Sequence, residues 1–240
     1  MRRLRMSKAP EINALILAGG FGTRLNNHVP GIPKPLVPVG GRPFLARQLK
    51  WLASQGVESV VLTVHHMAEQ FIAFVESAES DVLPIRIVEE AEPLGTGGAV
   101  ANAFRQIDAI GTWLVVNGDT EFNFELSKLM QAHQENNSKV TIAIAEVNNA
   151  SRFGTVQLDG NKIIDFVQAN GKNKPGYVNC GAYLIEPEAM KSAPDGKFSI
   201  ETQFFVDLAK TRGLFAVDVS SDNAFFDIGT PESYDEFCAR

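Results

Sequence analysis

Cysteine is scarce in this sequence: only Cys180 and Cys238 occur in 240 residues. Two thiols cannot build a disulfide framework or, by themselves, a zinc site. They read as reduced thiols of a cytoplasmic protein. No apolar run approaches the ~20 residues that cross a bilayer. Positive charge is also short. The 22 Lys and Arg residues stand against 28 Asp and Glu, a formal net charge of −6. That balance argues against broad binding to nucleic acid or an anionic membrane, yet leaves room for a local basic pocket. There is no internal repeat and no linker rich in glycine, proline and serine. The four histidines, His28, His65, His66 and His133, fall at no metal-ligand or triad spacing. They read as structural or surface residues. The start, Met1-Arg2-Arg3-Leu4-Arg5-Met6, is basic but no apolar signal core follows. Residues 1–11 therefore read as a flexible extension, with Met6 a second candidate start.

What is present is ordinary for a globular enzyme: 45% hydrophobic and 21% charged residues. The economical organisation is one α/β domain over 12–240, with two halves of different rhythm, about 12–120 and about 121–240. In the first half, short apolar runs (Ala14 to Leu17, Val60 to Val64, Ile85 to Val88, Trp113 to Val116) alternate with amphipathic stretches. Pro43 opens a helix whose Phe44, Leu45, Leu49 and Leu52 recur at helical spacing before Gly56 ends it. Further helices are expected over Glu69 to Val75 and Gly98 to Ile107. Such alternation predicts an α/β fold with a mostly parallel sheet flanked by helices on both faces. The second half opens with a helix over Glu125 to Gln134. Strands follow near Val140 to Ala145, Gly154 to Leu158, Ile163 to Val167, Asn179 to Ile185 and Leu214 to Val219. The turn Asp159-Gly160 signals antiparallel pairing. A helix over Ser199 to Lys210 precedes a last one capped by Thr230 with Pro231 behind it.

Directly after the first strand comes Leu17-Ala18-Gly19-Gly20-Phe21-Gly22-Thr23-Arg24-Leu25. Glycines let a backbone approach a ligand closely and aim successive N–H groups at phosphate oxygens. The place also suits a ligand, since open α/β sheets bind at the carboxyl ends of their strands. A plain structural turn is the competing explanation. Two other phosphate motifs fit poorly. A Walker A loop needs Lys followed by Ser or Thr, and Thr23-Arg24 stands instead. A dinucleotide fingerprint needs an acid about 20 residues on, and none occurs around 40–45. Arg24 and the stiffened Pro33-Lys34-Pro35 supply two cations behind that strand, one a planar fork and one a compact charge. Together they favour phosphate binding over two solvated surface residues.

The GGFGTR loop followed by Pro33-Lys34-Pro35 resembles the signature of the sugar-1-phosphate nucleotidyltransferases, which share a Rossmann-like core. The resemblance continues through Glu90 to Gly98, Gly118-Asp119 and the closing Asp227-Ile228-Gly229-Thr230-Pro231, nearly the whole chain. It implies NTP and sugar 1-phosphate as substrates, with nucleotide contacts from Leu17, Ala18, Gly19, Gly20, Gly22, Thr23, Glu90, Gly95 and Thr96. Asp119 ends the apolar run Trp113 to Val116, and Asp227 follows Phe225-Phe226, where a carboxylate is costly unless a cation pairs with it. The resemblance implies that Asp119 and Asp227 together hold Mg²⁺. A sugar phosphate is already an anion, so no general base is needed. The obstacle is bringing two anions together and stabilising the departing pyrophosphate. Arg24 would bind the triphosphate, and Lys34 would bridge the sugar phosphate and the α-phosphate.

Base and sugar are less determined. A carboxylate in Glu89-Glu90 suits guanine, whose N1–H and amino group donate where uracil cannot. These acids also fit a solvated loop before a helix. The segment resembles GDP-mannose and GDP-heptose pyrophosphorylases. By the same resemblance Gly154, Asn179 and Glu201 contact the sugar. Many relatives carry a Glu-Lys pair after the strand ending near Val167, whereas this chain has Gln168-Ala169. Chain length and ending are most similar to D-glycero-D-manno-heptose 1-phosphate guanylyltransferases. Uridylyltransferases acting on N-acetylmuramic acid 1-phosphate are a second reading, and a non-catalytic nucleotide-sugar sensor a third. No nucleic-acid or membrane partner is expected, and monomer and homodimer are both open.

Overall fold

The computed structural model describes residues 12–169, 171–221 and 224–240, and the extension expected over 1–11 lies outside them. In chain order the first half contains β1 (Ile12–Leu17), α1 (Thr23–Asn26), β2 (Pro38–Val39), β3 (Arg42–Pro43), α2 (Phe44–Ser54), β4 (Val57–Val64), α3 (Ala68–Val75), β5 (Ile85–Glu89), α4 (Gly95–Gln106) and β6 (Trp113–Asn117). The second half adds β7 (Thr120–Phe122), α5 (Leu126–Glu135), β8 (Val140–Val147), β9 (Thr155–Asp159), β10 (Lys162–Val167), β11 (Gly176–Ile185), α6 (Val206–Lys210), β12 (Leu214–Asp218), β13 (Phe225–Asp227) and α7 (Pro231–Cys238).

One nine-stranded sheet runs in the order β5-β4-β1-β6-β11-β8-β12-β10-β9. Its first block, β5, β4, β1 and β6, is parallel throughout, as the strand–helix alternation predicts. β11 then inserts antiparallel to both β6 and β8, while β12 lies parallel to β8. β9 and β10 form the hairpin expected at Asp159-Gly160, with Gly160 at φ +60°. The sheet is mixed: its parallel block belongs to the first half, and its antiparallel pairings involve strands of the second.

Strand side chains alternate between the two faces. Ile16, Leu62 and Val116 point into one core with Leu45, Leu49 and Leu52 of α2, Phe71 of α3 and Leu129 of α5. Leu15, Val61 and Val115 point into the other, with Val100 and Phe104 of α4 and Phe204 and Phe205 ahead of α6. Each such fully buried side chain contributes roughly 1.5–3 kcal/mol relative to exposure. A third, smaller cluster joins Leu25, Val37 and Phe44 to Ile228, Tyr234 and Phe237. It ties the C-terminal helix to the segment behind the glycine loop, and the Tyr234 hydroxyl donates to the Pro38 carbonyl at 2.6 Å.

Three local features differ from the sequence expectation. α4 begins at Gly95 rather than near Gly98, because the Phe198 carbonyl accepts from the N–H groups of Gly97 (3.0 Å) and Gly98 (3.4 Å). The helix expected from Ser199 starts as a π-helical turn over Ile200–Phe205 before becoming α6, although Ser199 does cap it. The ribbon β7–β13, only three residues per strand, had no signal of its own. The last helix is capped as expected: Thr230 and Ser233 form a capping box with Pro231 at the first position.

Candidate active site

A cleft of about 430 Å³ lies at the carboxyl ends of the parallel strands. It is lined by Leu17 and the glycine loop (Ala18, Gly19, Gly20, Phe21, Gly22), by Thr63 near the end of β4, by Glu90 after β5, by Asn117 at the end of β6 and by Asp119 beyond it. Lys34, Gly95, Thr96, Lys197 and Glu201 complete much of its wall. Gly22 is at φ +61°, and a Cβ there would approach Lys34 Cγ to 3.0 Å. The loop thus needs glycine both for its backbone and for the lysine stem that packs across it.

The turn carrying Asp119 is held from three sides. The Gly118 N–H donates to the Leu17 carbonyl at 3.0 Å, and a Cβ on Gly118 would meet that oxygen at 2.7 Å. From α2, the buried Gln48 amide donates to the carbonyls of Asn117 (2.8 Å) and Thr120 (2.6 Å), clamping the turn at both ends. The Asp119 carbonyl in turn accepts from the Ile228 N–H at 3.0 Å. This last bond continues the β7–β13 ribbon, whose register sets Asp227 opposite Thr120. Two carboxylates 108 positions apart in the chain are thereby brought to one place.

Lys34 Nζ donates to Asp119 Oδ2 at 3.2 Å. Burial, and next the Asp119 charge, push the Asp227 carboxyl above its ordinary 3.8, while the Gly229 N–H, Lys34 and Arg152 oppose the rise. Arg152 Nη2 lies 3.9 Å from Asp227 Oδ1. Among the described residues no group of three His, Cys, Asp or Glu side chains is placed to hold a metal. A cation here would rest on the carboxylate pair, with phosphate oxygens and water completing its shell, which is how Mg²⁺ usually binds. The mutual repulsion of Asp119 and Asp227 makes the pair a fitting donor set.

A second cavity, about 610 Å³, adjoins the first. It is lined by Gly154, Gln168, Ala169, Asn179, Gly181, Phe225 and Asp227, and it shares Asn117 and Glu201 with the first cleft. Glu201 Oε1 accepts from Tyr183 Oη (2.9 Å) and from Asn179 Nδ2 (2.9 Å). Asn179 Nδ2 also donates to Tyr183 Oη at 3.0 Å, and its Oδ1 accepts from the Gly181 N–H at 2.8 Å. Asn179 therefore spends its amide hydrogens in fixing Glu201 and Tyr183. Burial pushes the Glu201 carboxyl above its ordinary 4.5, opposed by the Tyr183 and Asn179 hydrogen bonds and reinforced by Asp119.

Glu90 is buried beside Gly19, where a Cβ would come within 2.9 Å of Glu90 Oε1. Its Oε2 accepts from the Leu94 N–H at 3.0 Å. Burial raises its carboxyl above 4.5, with the Leu94 bond and His65 opposing. Thr96 Oγ1 accepts from the Ile200 N–H at 2.9 Å, joining α4 to the turn that carries Glu201. Of the residues expected from sequence, Lys34, Asp119, Glu90, Gly95, Thr96 and the glycines converge on the first cleft. Gly154, Asn179, Glu201 and Asp227 converge on the second. Arg24 stands apart, exposed on α1 and outside both linings, and Thr23 lies in the same short helix. Asn117, Arg152, Tyr183 and Lys197 escaped the sequence reading. Arg152 directly precedes Phe153-Gly154 and could have been found from that neighbour, whereas nothing in sequence marks Lys197.

The nucleotidyl transferase family profile matches residues 13–239. A D-glycero-alpha-D-manno-heptose 1-phosphate guanylyltransferase of Campylobacter jejuni is 34% identical, over 94% of this chain and 98% of that protein. A probable mannose-1-phosphate guanylyltransferase 1 of Oryza sativa is 33% identical over 93% of this chain, which spans 63% of that longer relative. The crystal structure of HddC from Yersinia pseudotuberculosis, complexed with GMP-PN, superposes with a TM-score of 0.82 at 34% identity, covering 95% of this chain and 98% of that one. The glycine loop, Lys34 and the paired carboxylates thus sit in a shared frame that runs almost from end to end, and the chain belongs to the nucleotidyl transferase family.

Proposed function

We propose that the protein transfers a guanylyl group from GTP to a sugar 1-phosphate, releasing pyrophosphate, with D-glycero-D-manno-heptose 1-phosphate the foremost sugar. The observation that carries this reading is the join between the two cavities. Asp119 lines one and Asp227 the other, and Asn117 and Glu201 line both. Two ligands placed side by side would meet at Lys34 and the carboxylate pair.

In this reading a sugar phosphate oxygen attacks the α-phosphorus, and the bond from that phosphorus to the β-bridging oxygen breaks, so pyrophosphate leaves with the electron pair. The backbone of Ala18 to Gly22 cradles the triphosphate. Lys34 offsets the repulsion between the reacting anions, and the relay from Gln48 through the Asn117–Thr120 turn keeps Asp119 aimed at them. Mg²⁺, held by Asp119 and Asp227, would neutralise phosphate charge and orient the displacement. Glu90, buried against the glycine loop, is placed to accept from guanine, and the reading is supported by guanylyltransferases among the similar sequences and by a GMP-PN complex among the similar structures.

The test is pyrophosphate release across a matrix of GTP, UTP, dTTP and ATP with heptose, mannose and N-acetylmuramic acid 1-phosphates. GTP with the heptose or mannose ester is expected to give the highest kcat/KM. Glu90→Gln should narrow the preference for GTP over UTP by on the order of tenfold to a hundredfold, the worth of one charged hydrogen bond. Preference for UTP with every sugar would reverse the base assignment. NTP binding without pyrophosphate from any pair would favour a sensor.

A further inference from the structure

The second cavity poses an electrostatic problem. Its described lining includes two carboxylates, Glu201 and Asp227, and no lysine or arginine. At the end of β10, where a cation would face the cavity, stand the neutral Gln168 and Ala169. A sugar 1-phosphate carries close to two negative charges at neutral pH. The side chains of the wall offer it no positive charge, so beyond any Mg²⁺ on the Asp119–Asp227 pair a cation must reach in from the rim. Lys34 lies in the adjoining cleft and is engaged with Asp119 at 3.2 Å, and Lys197 lines that same cleft.

Arg152 stands at this border. Its Nη2 is 3.9 Å from Asp227 Oδ1 and 3.4 Å from Thr230 Oγ1. A guanidinium has five N–H donors in a planar fork, and these two contacts engage one nitrogen. Neither is tight. A pair of that length with a half-exposed arginine contributes little to stability, so holding Asp227 is a weak reason for the arginine to be there. Its backbone is well anchored. Phe153, the next residue, lines the cavity and packs edge-on against Phe225 at 6.0 Å between centroids, and the guanidinium lies 5.7 Å from the Phe153 ring. The side chain is half exposed.

We propose that Arg152 is the cation that receives the phosphate of the sugar 1-phosphate, supplying from the Phe153-Gly154 loop the positive charge that the cavity wall lacks. This rests on the sugar 1-phosphate reading above. In the free protein Arg152 leans on Asp227. With substrate bound, its fork grips phosphate oxygens and sets the nucleophile facing the Lys34 side.

The experiment compares Arg152→Gln and Arg152→Lys with the wild type, varying mannose 1-phosphate and GTP in turn, and adds calorimetric titration of mannose 1-phosphate and of inorganic phosphate. Arg152→Gln should raise KM for the sugar phosphate by on the order of tenfold to a hundredfold, the loss expected for a charge-assisted phosphate contact. KM for GTP and the melting temperature should stay near wild type. Arg152→Lys should recover part of the loss, because charge is kept but the fork is not. Calorimetry should show both phosphates bound more weakly by Arg152→Gln. Equal binding of mannose 1-phosphate by the two proteins would overturn the proposal, whatever the turnover. So would an unchanged sugar phosphate KM with an altered Mg²⁺ dependence, which would mean that Arg152 serves Asp227 alone. A sugar phosphate KM that responds to Lys197→Ala and not to Arg152→Gln would move the role to Lys197. Absence of pyrophosphate release by the wild type with every substrate pair would defeat the transferase reading itself, leaving the calorimetry to decide on Arg152.

Discussion

The two cavities that meet at Asn117 and Glu201 are built on different principles. The nucleotide-side cleft is a backbone site: a glycine loop after β1, strand ends in a parallel block, and Lys34 packed over Gly22. The neighbouring cavity is a side-chain site, walled by strands of the antiparallel part and organised by the Asn179–Tyr183–Glu201 hydrogen bonds. Backbone N–H groups recognise phosphate whatever else the ligand carries, so such a site stays generic. Side chains read a ligand's polar groups one at a time, so in the proposed reading base choice falls to Glu90 and sugar choice to the side chains of the second cavity.

The largest expected effect falls where the two sites join. Asp119→Ala and Asp227→Ala should each lower turnover by roughly two orders of magnitude or more, since each removes a charge that acts on the reacting phosphates. Circular dichroism should show both folded. Near-normal pyrophosphate release by either variant at saturating Mg²⁺ would break the idea of a shared carboxylate centre.

A smaller contrast separates the cations within the nucleotide side. Lys34→Ala should lower kcat and raise KM for the sugar phosphate, because the lysine acts as the anions meet. Lys34→Arg should not restore full rate, because a planar fork replaces a compact charge between the Gly22 backbone and Asp119. Arg24→Ala should act on NTP alone and more weakly, consistent with its exposed place on α1. Steady-state kinetics with each substrate varied would show whether the two variants differ; identical profiles would erase the division of labour.

The smallest effect sharpens the side-chain site. Glu201 is partly buried and desolvation raises its carboxyl, which favours the protonated form. Its favourable contribution is present in full below the unfolded carboxyl range and is lost as pH climbs through the raised folded value. Glu201→Gln keeps an acceptor for Tyr183 and Asn179 without the charge. It should melt a few degrees higher than wild type at pH 7.5, a difference on the order of 1 kcal/mol for a chain of this size, and the gap should shrink toward pH 5. A melting temperature that falls equally at both values would mean that the charge itself holds the site together.

Much of this was legible in the sequence, and unevenly. β1, α2, β4 and β6 announce themselves by apolar runs and helical spacing, and the glycine loop by its position after β1. The cap at Thr230-Pro231 was equally plain. The early start of α4 was not, because its first N–H groups are satisfied by Phe198, a hundred residues away. The β7–β13 ribbon escaped because three-residue strands carry no period, and Asp227 was singled out by its apolar neighbours and by family resemblance. Arg24 was expected in the triphosphate site from its place in the motif, and the structure leaves it at the surface beside that site.

Local chemistry in the sequence therefore determined which segments form strands and helices, where phosphate would be cradled and which family the motifs indicate. These depend on side-chain periodicity and on glycine and proline backbone preferences, which act over a few residues. Tertiary structure alone decided that Asp227 would stand beside Asp119, that Gln48 would clamp the turn carrying Asp119, that Asn179 would be occupied with Glu201, and that Arg152 would lie beside Asp227 and Thr230. Each of those is a contact between distant segments, set by how the sheet orders its strands and by the third cluster that folds α7 back onto the loop behind Lys34.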